Sequence, residues 1–363
     1  MQTIKKELSN FKKEFDILLK EYLQQKLTKC REFDTHLVFY QEHLNRMMLS
    51  GGKRIRPFLF YRAHTMLGGK SKTEALKLSL ALEFLQTFAL IHDDIMDNSS
   101  LRRGEPTIHK AIEEETKLSL GQSPALHFGQ SQAILLGDLA YSYCMEIIGS
   151  IHESTDARPC VSTKSINQFM DTFHTMTEEV IWGQQLDIIA GTFPAFDTEL
   201  QEKIMLFKSG YYSIARPLQL GAILAGASPQ ALAMLEQIGA NLGIAFQIRD
   251  DILGISGNEK TIGKSAISDI LEKKITLPLL EAYHSTENNR KLIETTYRKK
   301  SITIAEAKKI KAAINTPEVL EAVNRKIQQK MDDTLPLIDK LPVDPKEKEF
   351  LKGFAEYLVN REK

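Results

Sequence analysis

Apolar residues recur at three- and four-residue spacings along most of the chain. Between about Glu7 and Lys29 they fall at Leu8, Phe11, Phe15, Leu18, Leu19 and Tyr22, the period of an amphipathic helix. Gly51-Gly52 interrupts the pattern before an apolar segment from Ile55 to Leu67, and Gly68-Gly69 closes that segment before a helix predicted over about Lys72 to Met96. The C-terminal part reads as further helices, separated by turns near Asn315-Thr316-Pro317 and from Leu341 to Pro345. No run alternates cleanly around an Asn-Gly or Asp-Gly turn, so the pattern predicts an all-α chain whose helices form one large bundle. Two polar stretches, Glu113 to Pro124 and His152 to Ser165, are predicted as surface loops.

Composition narrows the function classes. A chain of 363 residues with 42% hydrophobic and 26% charged content can bury a large core and is too apolar to be disordered. Its 47 basic and 47 acidic residues balance, which argues against an extended nucleic-acid surface and puts functional charge into local clusters. Cys30, Cys144 and Cys160 have no metal-ligand spacing and suit a reducing compartment. The N-terminal residues are charged throughout, without the apolar core of a signal peptide, and no unbroken apolar run is long enough to span a bilayer. A cytoplasmic protein with no transmembrane segment is expected.

The first local cluster is acidic. Asp93, Asp94 and Asp97 close the apolar run Leu82 to His92, with Asp93 and Asp97 one turn apart on one face. Carboxylates four residues apart on a helix repel by roughly 0.2–0.5 kcal/mol, and at a C-terminus they also oppose the helix dipole. A compensating cation is therefore expected. Asp250-Asp251 forms a second acidic pair inside Gly243 to Gly254, an apolar setting where unpaired charge is costly. Two such sites facing one cavity make a cage of hard oxygen ligands. Magnesium prefers a few carboxylates together with water and phosphate oxygens, and clusters lacking His and Cys fit it better than zinc.

If magnesium bridges carboxylates to phosphate, basic groups should stand at turns. Gly51-Gly52-Lys53-Arg54-Ile55-Arg56-Pro57 supplies three cations after a flexible turn, and the spacing of Lys53 and Arg56 predicts a shared helix face. Arg102-Arg103-Gly104 follows the first acidic cluster closely enough to reach the same pocket, with the planar fork that phosphate favours. Lys208-Ser209, Lys264 and Lys274 add further candidates.

From about Met47 to the C-terminus these residues resemble the trans-prenyl diphosphate synthases, the polyprenyl synthetase family. Gly51 to Pro57 is similar to the family's GGKxxRP motif, Asp93 to Asp97 with Arg102-Arg103-Gly104 to DDxxD followed by RRG, and Gly183 to Asp187 to GQxxD. Lys208-Ser209, Phe246 to Asp251, Thr261 to Lys264 and Lys274 to Pro278 follow in the family's order. Gly254 stands where many members carry a third aspartate, so the second motif offers two carboxylates.

The resemblance implies one polyprenyl synthetase domain over 1–363, with 1–46 as a helical segment packed on it. It implies an antiparallel helical bundle around a central cavity, the isoprenoid synthase fold, in a homodimer. It implies that Lys53, Arg56, Gln86 and Arg103 bind isopentenyl diphosphate, and that Arg102, Lys208, Ser209, Gln247, Lys264 and Lys274 contact the allylic diphosphate. It further implies that Asp93 and Asp97 hold two of three expected magnesium ions and Asp250 the third, with Asp94 and Asp251 in the same ligand sets, and that Asp93, Asp97, Arg102, Lys208, Asp250 and Lys264 carry the catalytic charge. Phe88 and Ala89, before the first motif, resemble the chain-length positions of archaeal geranylgeranyl synthases, which implies a C20 product with farnesyl diphosphate as the runner-up.

Three alternatives use some of these features. Cyclising or head-to-head terpene synthases share the aspartate motifs but have no use for a second diphosphate pocket at Lys53, Arg56 and Arg103. A non-catalytic modulating subunit of a prenyl synthase rests only on Gly254. His92-Asp93 suggests a metal phosphohydrolase, yet this helix supplies no further histidine at ligand spacing.

Overall fold

The computed structural model describes residues 2–153, 162–256 and 266–360. Its internal contacts divide into two compact units, 2–162 and 163–363.

In the N-terminal unit, α1 (Gln2–Phe33) buries Leu8, Phe11, Phe15 and Leu19 of the expected stripe together with Ile4 and Leu23, while Leu18 and Tyr22 are half-buried. Next come α2 (Val38–Leu49), α3 (Ile55–Met66) and α4 (Lys72–Met96). Ser71 caps α4 by accepting from the Glu74 backbone N–H. Helix α4 is apolar on almost every face because α3 and α6 (Gln122–Gly149) both pack on it. Between α4 and α6 lie a short hairpin, β1 (Leu101–Arg102) with β2 (Glu105–Pro106), and α5 (Ile108–Leu120).

Two local expectations are corrected here. The segment Glu113 to Pro124 is helical except at Gly121, which has φ 77° and separates α5 from α6. Ile108, His109 and Ile112 bury one face of α5, and this stripe carries the helix through a polar sequence whose outer face holds pairs such as Lys110–Glu113 at 3.0 Å. The hairpin is the second difference. Arg103 (φ 55°) and Gly104 (φ 82°) are both left-handed, the signature of a type I′ turn, reached here by Arg-Gly instead of Asn-Gly or Asp-Gly. Of the other expected loop, α7 begins at Thr163, and most of the remainder lies outside the described residues, as does Cys160. Cys30 and Cys144 are free thiols.

His109 is 1% exposed with neither ring nitrogen hydrogen-bonded, and burial pushes its pKa down from 6.5 to about 4. The unfolded chain then takes up a proton that the folded chain refuses. Stability is full above pH 6.5 and falls as pH drops toward 4, by on the order of 3 kcal/mol at the lower end. We expect thermal melts between pH 7 and 4.5 to show this loss, and His109→Leu to flatten it.

The C-terminal unit contains α7 (Thr163–Thr192), α8 (Thr198–Ile204), a π-helix (Met205–Ala215), α9 (Arg216–Leu224) and α10 (Pro229–Ser256). After the undescribed residues 257–265 come α11 (Ser268–Leu271), α12 (Leu277–Ser285), α13 (Glu287–Tyr297), α14 (Ile304–Ile314), α15 (Pro317–Lys340) and α16 (Pro345–Val359). Ile244, Ile248 and Ile252 of α10 share a core with Leu279, Leu280, Tyr297, Ile310 and Val323. Thr276, Thr286, Thr303 and Thr316 each cap the helix that follows, with a full capping box at Thr303 and Glu306.

The π-helix is gripped on two sides at glycines. A Cβ at Gly183 of α7 would lie 2.4 Å from the Lys208 backbone nitrogen. On α10, a Cβ at Gly239 would lie 2.3 Å from Ala215 Cα, and one at Gly243 2.2 Å from Gly210 Cα. Only glycine permits these backbones to approach so closely.

Helices α4 and α10 are long and apolar enough by composition to cross a bilayer, yet 61% and 56% of those windows are buried inside the protein. Core helices of globular proteins have this character.

Candidate active site

The first acidic cluster ends α4. Asp94 is 2% exposed and is clamped by Arg102 from the hairpin: Nε donates to both its oxygens at 2.9 and 2.8 Å, and Nη2 to Oδ1 at 2.7 Å. The same Nη2 reaches Asp93 Oδ2 at 3.3 Å. Burial disfavours the guanidinium charge, but the bonds to Asp94 and the charges of Asp93 and Asp97 outweigh it and hold the Arg102 pKa above its ordinary value. Arg102 is thus a compensating cation that the like-charged helix end required. The tight turn sends the chain back to aim it, and the hairpin base is pinned by Thr107 Oγ1 donating to Ser99 O at 2.8 Å. Asp93 and Asp97 are half-buried one turn apart, with the Asp97 N–H bonded to Asp93 O at 2.9 Å. His92 turns toward α6, where Nε2 lies 3.2 Å from Ile134 O and 3.7 Å from Asp138 Oδ1.

The basic loop differs from its expected geometry. Helix α3 starts at Ile55, so Lys53 precedes it and shares no helix face with Arg56; Gly51 (φ 117°), Gly52 (φ 115°) and Arg54 (φ 54°) are all left-handed. Arg54, 3% exposed, is a structural cation: it bonds Asp16 at 2.9 Å, Glu83 at 2.5 Å and Met48 O at 2.7 Å. Sequence spacing gave no hint of these partners. Arg103 at the hairpin tip donates to Gly51 O at 2.9 Å, which brings the two basic motifs together. A Cβ at Gly52 would meet guanidinium nitrogens of Arg103 and Arg54, each at 3.3 Å. Desolvation first, then the charges of Arg54, Arg102 and Arg56, lower the Arg103 pKa against the opposing Glu83. Crowded guanidiniums of this kind favour a bound anion. Gln86 is half-buried on α4 in the same unit.

In the C-terminal unit a chain of hydrogen bonds leads to the second cluster. Ser209 Oγ donates to Gln247 Oε1 at 2.6 Å, and Gln247 Nε2 donates to Asp251 Oδ1 at 2.7 Å. Burial raises the Asp251 pKa well above the usual carboxylate range, helped by the charges of Asp269, Asp250 and Asp187. Lys208 Nζ donates to Asp187 Oδ2 at 2.6 Å. Asp187 is the last residue of the Gly183 motif and sits one turn beyond the glycine that admits Lys208, so that motif carried its signal. Asp269 carried none. Its Oδ2 lies 3.4 Å from where a Cβ on Gly254 would stand, so a carboxylate from α11 adjoins the position of the missing third aspartate. Lys274 pairs with Glu272 at 3.0 Å, and its carbonyl accepts from Tyr297 at 3.1 Å. Lys264 lies outside the described residues.

Among the described residues no group of three or more His, Cys, Asp or Glu side chains gathers into a cage that could hold a metal ion. The donors at both clusters are carboxylate oxygens with cations close by. Such an incomplete, hard donor set fits magnesium, which fills its remaining positions with water and substrate phosphate oxygens.

The model of the polyprenyl synthetase family matches residues 38–315. The chain belongs to the polyprenyl synthetase family. It is 30% identical to a geranylgeranyl diphosphate synthase of Saccharolobus solfataricus over 87% of this chain and 89% of that protein. It is 36% identical to a farnesyl diphosphate synthase of Geobacillus stearothermophilus over 64% of this chain and 71% of that one. A crystal structure of geranylgeranyl pyrophosphate synthase from Corynebacterium glutamicum, complexed with isoprenyl diphosphate and magnesium, superposes with a TM-score of 0.87. It is 31% identical, covering 98% of this chain and 99% of that one. This polyprenyl synthetase thus has the all-α isoprenoid synthase fold, and its family is generally magnesium-dependent.

Proposed function

We propose that this polyprenyl synthetase condenses isopentenyl diphosphate head-to-tail with allylic diphosphates and releases geranylgeranyl diphosphate. The observation that carries this reading is a cationic surface, formed where Arg103 meets the Gly51–Arg56 loop, in the same unit as the first aspartate cluster that Arg102 clamps. Two diphosphates need two cationic sites. Incubation with isopentenyl diphosphate and each of the C5, C10 and C15 allylic diphosphates, followed by chromatography of the dephosphorylated products, tests it. A product ending at C15 would shift the assignment to farnesyl diphosphate, and none at all would leave the modulating-subunit reading.

In this mechanism both units act as one catalytic domain, a reading supported by a family match that spans them. Lys53, Arg56, Gln86 and Arg103 hold isopentenyl diphosphate with its double bond toward the allylic carbon. Asp93 and Asp97 would hold two magnesium ions and Asp250 a third, while buried Asp94 and Asp251, which the resemblance puts in the same ligand sets, instead accept from and position Arg102 and Gln247. When bound, the ions neutralise charge on the departing pyrophosphate. Arg102, Lys208, Ser209, Gln247, Lys264 and Lys274 orient the allylic diphosphate and stabilise the charge that grows on its bridging oxygen as the C–O bond breaks. The allylic cation is attacked by the isopentenyl double bond. Loss of a proton to pyrophosphate completes the new trans double bond, so no protein nucleophile is required.

Activity should require millimolar magnesium and vanish with excess chelator; undiminished turnover in chelator is the opposing result. Gly254→Asp should keep the reaction type. Beside Asp269 Oδ2 it adds a further carboxylate, so it should shift the magnesium requirement only modestly, read from a magnesium titration of initial rates.

Helix α7 and the residue after it expose Ile181, Trp182, Ile188, Ile189 and Phe193. That row supports the homodimer, which light scattering checks. A cytoplasmic location completes the proposal, to be tested by cell fractionation.

A further inference from the structure

Lys208 and Ser209 do not sit on an ordinary helix. They belong to the π-helix, which closes i→i+5 bonds, is rare beyond a single turn and needs support from its surroundings. The glycines of α7 and α10 allow close approach, but close approach alone does not fix which residues face which neighbour. Arg216, the first residue of α9, supplies that restraint. Its backbone N–H closes the last π turn on Tyr211 O, and its guanidinium lies 4.5 Å from the centre of the Tyr211 ring. Nε and Nη2 donate to the two oxygens of Glu179 at 2.9 and 2.6 Å, a paired fork onto α7. Nη1 donates to Gln219 Oε1 at 2.6 Å and to Glu236 Oε2 on α10 at 3.0 Å. Gln219 closes the network by donating to that same Glu236 oxygen at 3.0 Å. One 8%-exposed guanidinium therefore joins α7, the π-helix, α9 and α10.

The spacing along α7 gives this network its consequence. Glu179, Gly183 and Asp187 are successive one-turn steps on one face: the arginine's anchor, the contact with the Lys208 backbone, and the partner of the Lys208 side chain. We infer that Arg216 is a positioning residue, whose network with Glu179 and Glu236 fixes the register of the π-helix so that Lys208 and Ser209 face Asp187 and Gln247. A slip of one residue toward α-helical geometry turns side chains by about 100°, enough to break both contacts. This inference deepens the proposed reaction and rests on its assignment of Lys208, Ser209 and Gln247 to the allylic diphosphate.

The test uses the full chain. Arg216→Met alone strands the Glu179 charge, so the informative variant is Arg216→Met with Glu179→Met, which removes both charges of the buried pair together. Arg216→Lys keeps the charge without the fork. Lys26→Met with Glu146→Met, a part-buried pair in the N-terminal unit, is the control for general loosening. Steady-state kinetics are paired with calorimetric titration of geranyl diphosphate in magnesium, without isopentenyl diphosphate. We expect the double variant to weaken allylic KM and affinity by about tenfold or more, with the isopentenyl KM moved by less than roughly twofold. The lysine variant should fall between, and the control pair should change neither. Allylic affinity within about twofold of wild type, or equal weakening for both substrates, overturns the inference. If the double variant does not fold, the same split in Arg216→Lys decides. A wild-type chain that makes no product sinks the proposed reaction, while the titration still decides the role of Arg216.

Discussion

Asp93→Ala and Asp97→Ala should each fold normally and lose turnover by roughly 10²–10³-fold, the scale expected when a charge-stabilising group acts on the transition state. Both carboxylates stand half-buried at the end of α4, where like charges one turn apart and the negative helix terminus oppose each other. Such an arrangement is unfavourable for folding on its own, so removing one member should cost activity much more than stability. Asp94→Ala should behave differently. It takes both acceptor oxygens from a partly buried arginine, and the loss approaches that of a broken buried pair, about 3–5 kcal/mol. Thermal melts alongside initial rates separate the cases: Asp93 and Asp97 variants with near wild-type melting and little activity, and an Asp94 variant with a clearly lowered melting temperature. Normal turnover in both Asp93→Ala and Asp97→Ala would refute the metal-ligand assignment.

That contrast between Asp94 and its neighbours was not legible in the sequence, and the reason is physical. Periodicity reports which face of a helix is buried, so α1, α3 and α4 could be located from their apolar spacing. Motifs report which residue types the chemistry needs, so the acidic and basic clusters could be located too. Neither reports which cation meets which anion across a turn. The Arg102–Asp94 clamp depends on a type I′ turn at Arg103-Gly104, and the burial of Arg54 depends on Asp16, thirty-eight residues away. Asp269 adjoins Gly254 through tertiary folding alone. The π-helix was invisible for a related reason: its sequence carries no i→i+5 pattern, and its permission comes from glycines on α7 and α10. Polarity misled at Glu113 to Pro124, where a narrow buried stripe outweighs a polar majority.

Product length should be the most easily altered property of the enzyme. Phe88→Ala is expected to keep total condensation while shifting the product from C20 toward C25 and C30 chains. Phe88 precedes Asp93 by five residues, about 7.5 Å along the helix axis, where a tail leading away from the diphosphate would pass. Its ring is held in place on two sides: the Tyr141 ring of α6 lies 5.2 Å away, and His92, one turn on along α4, packs against it edge-on at 4.8 Å. Ala89 beside it is too small to form a stop. Truncating Phe88 removes the ring and leaves a hole bordered by Tyr141, so chains should lengthen further in the Phe88→Ala, Tyr141→Ala double variant. If the aromatic pair only packed the core, both variants would lose stability and their surviving activity would still end at C20. Chromatography of dephosphorylated products, run at matched conversion with melting temperatures recorded, distinguishes the two. An unchanged profile from a folded, active Phe88→Ala enzyme rules out Phe88 as the stop.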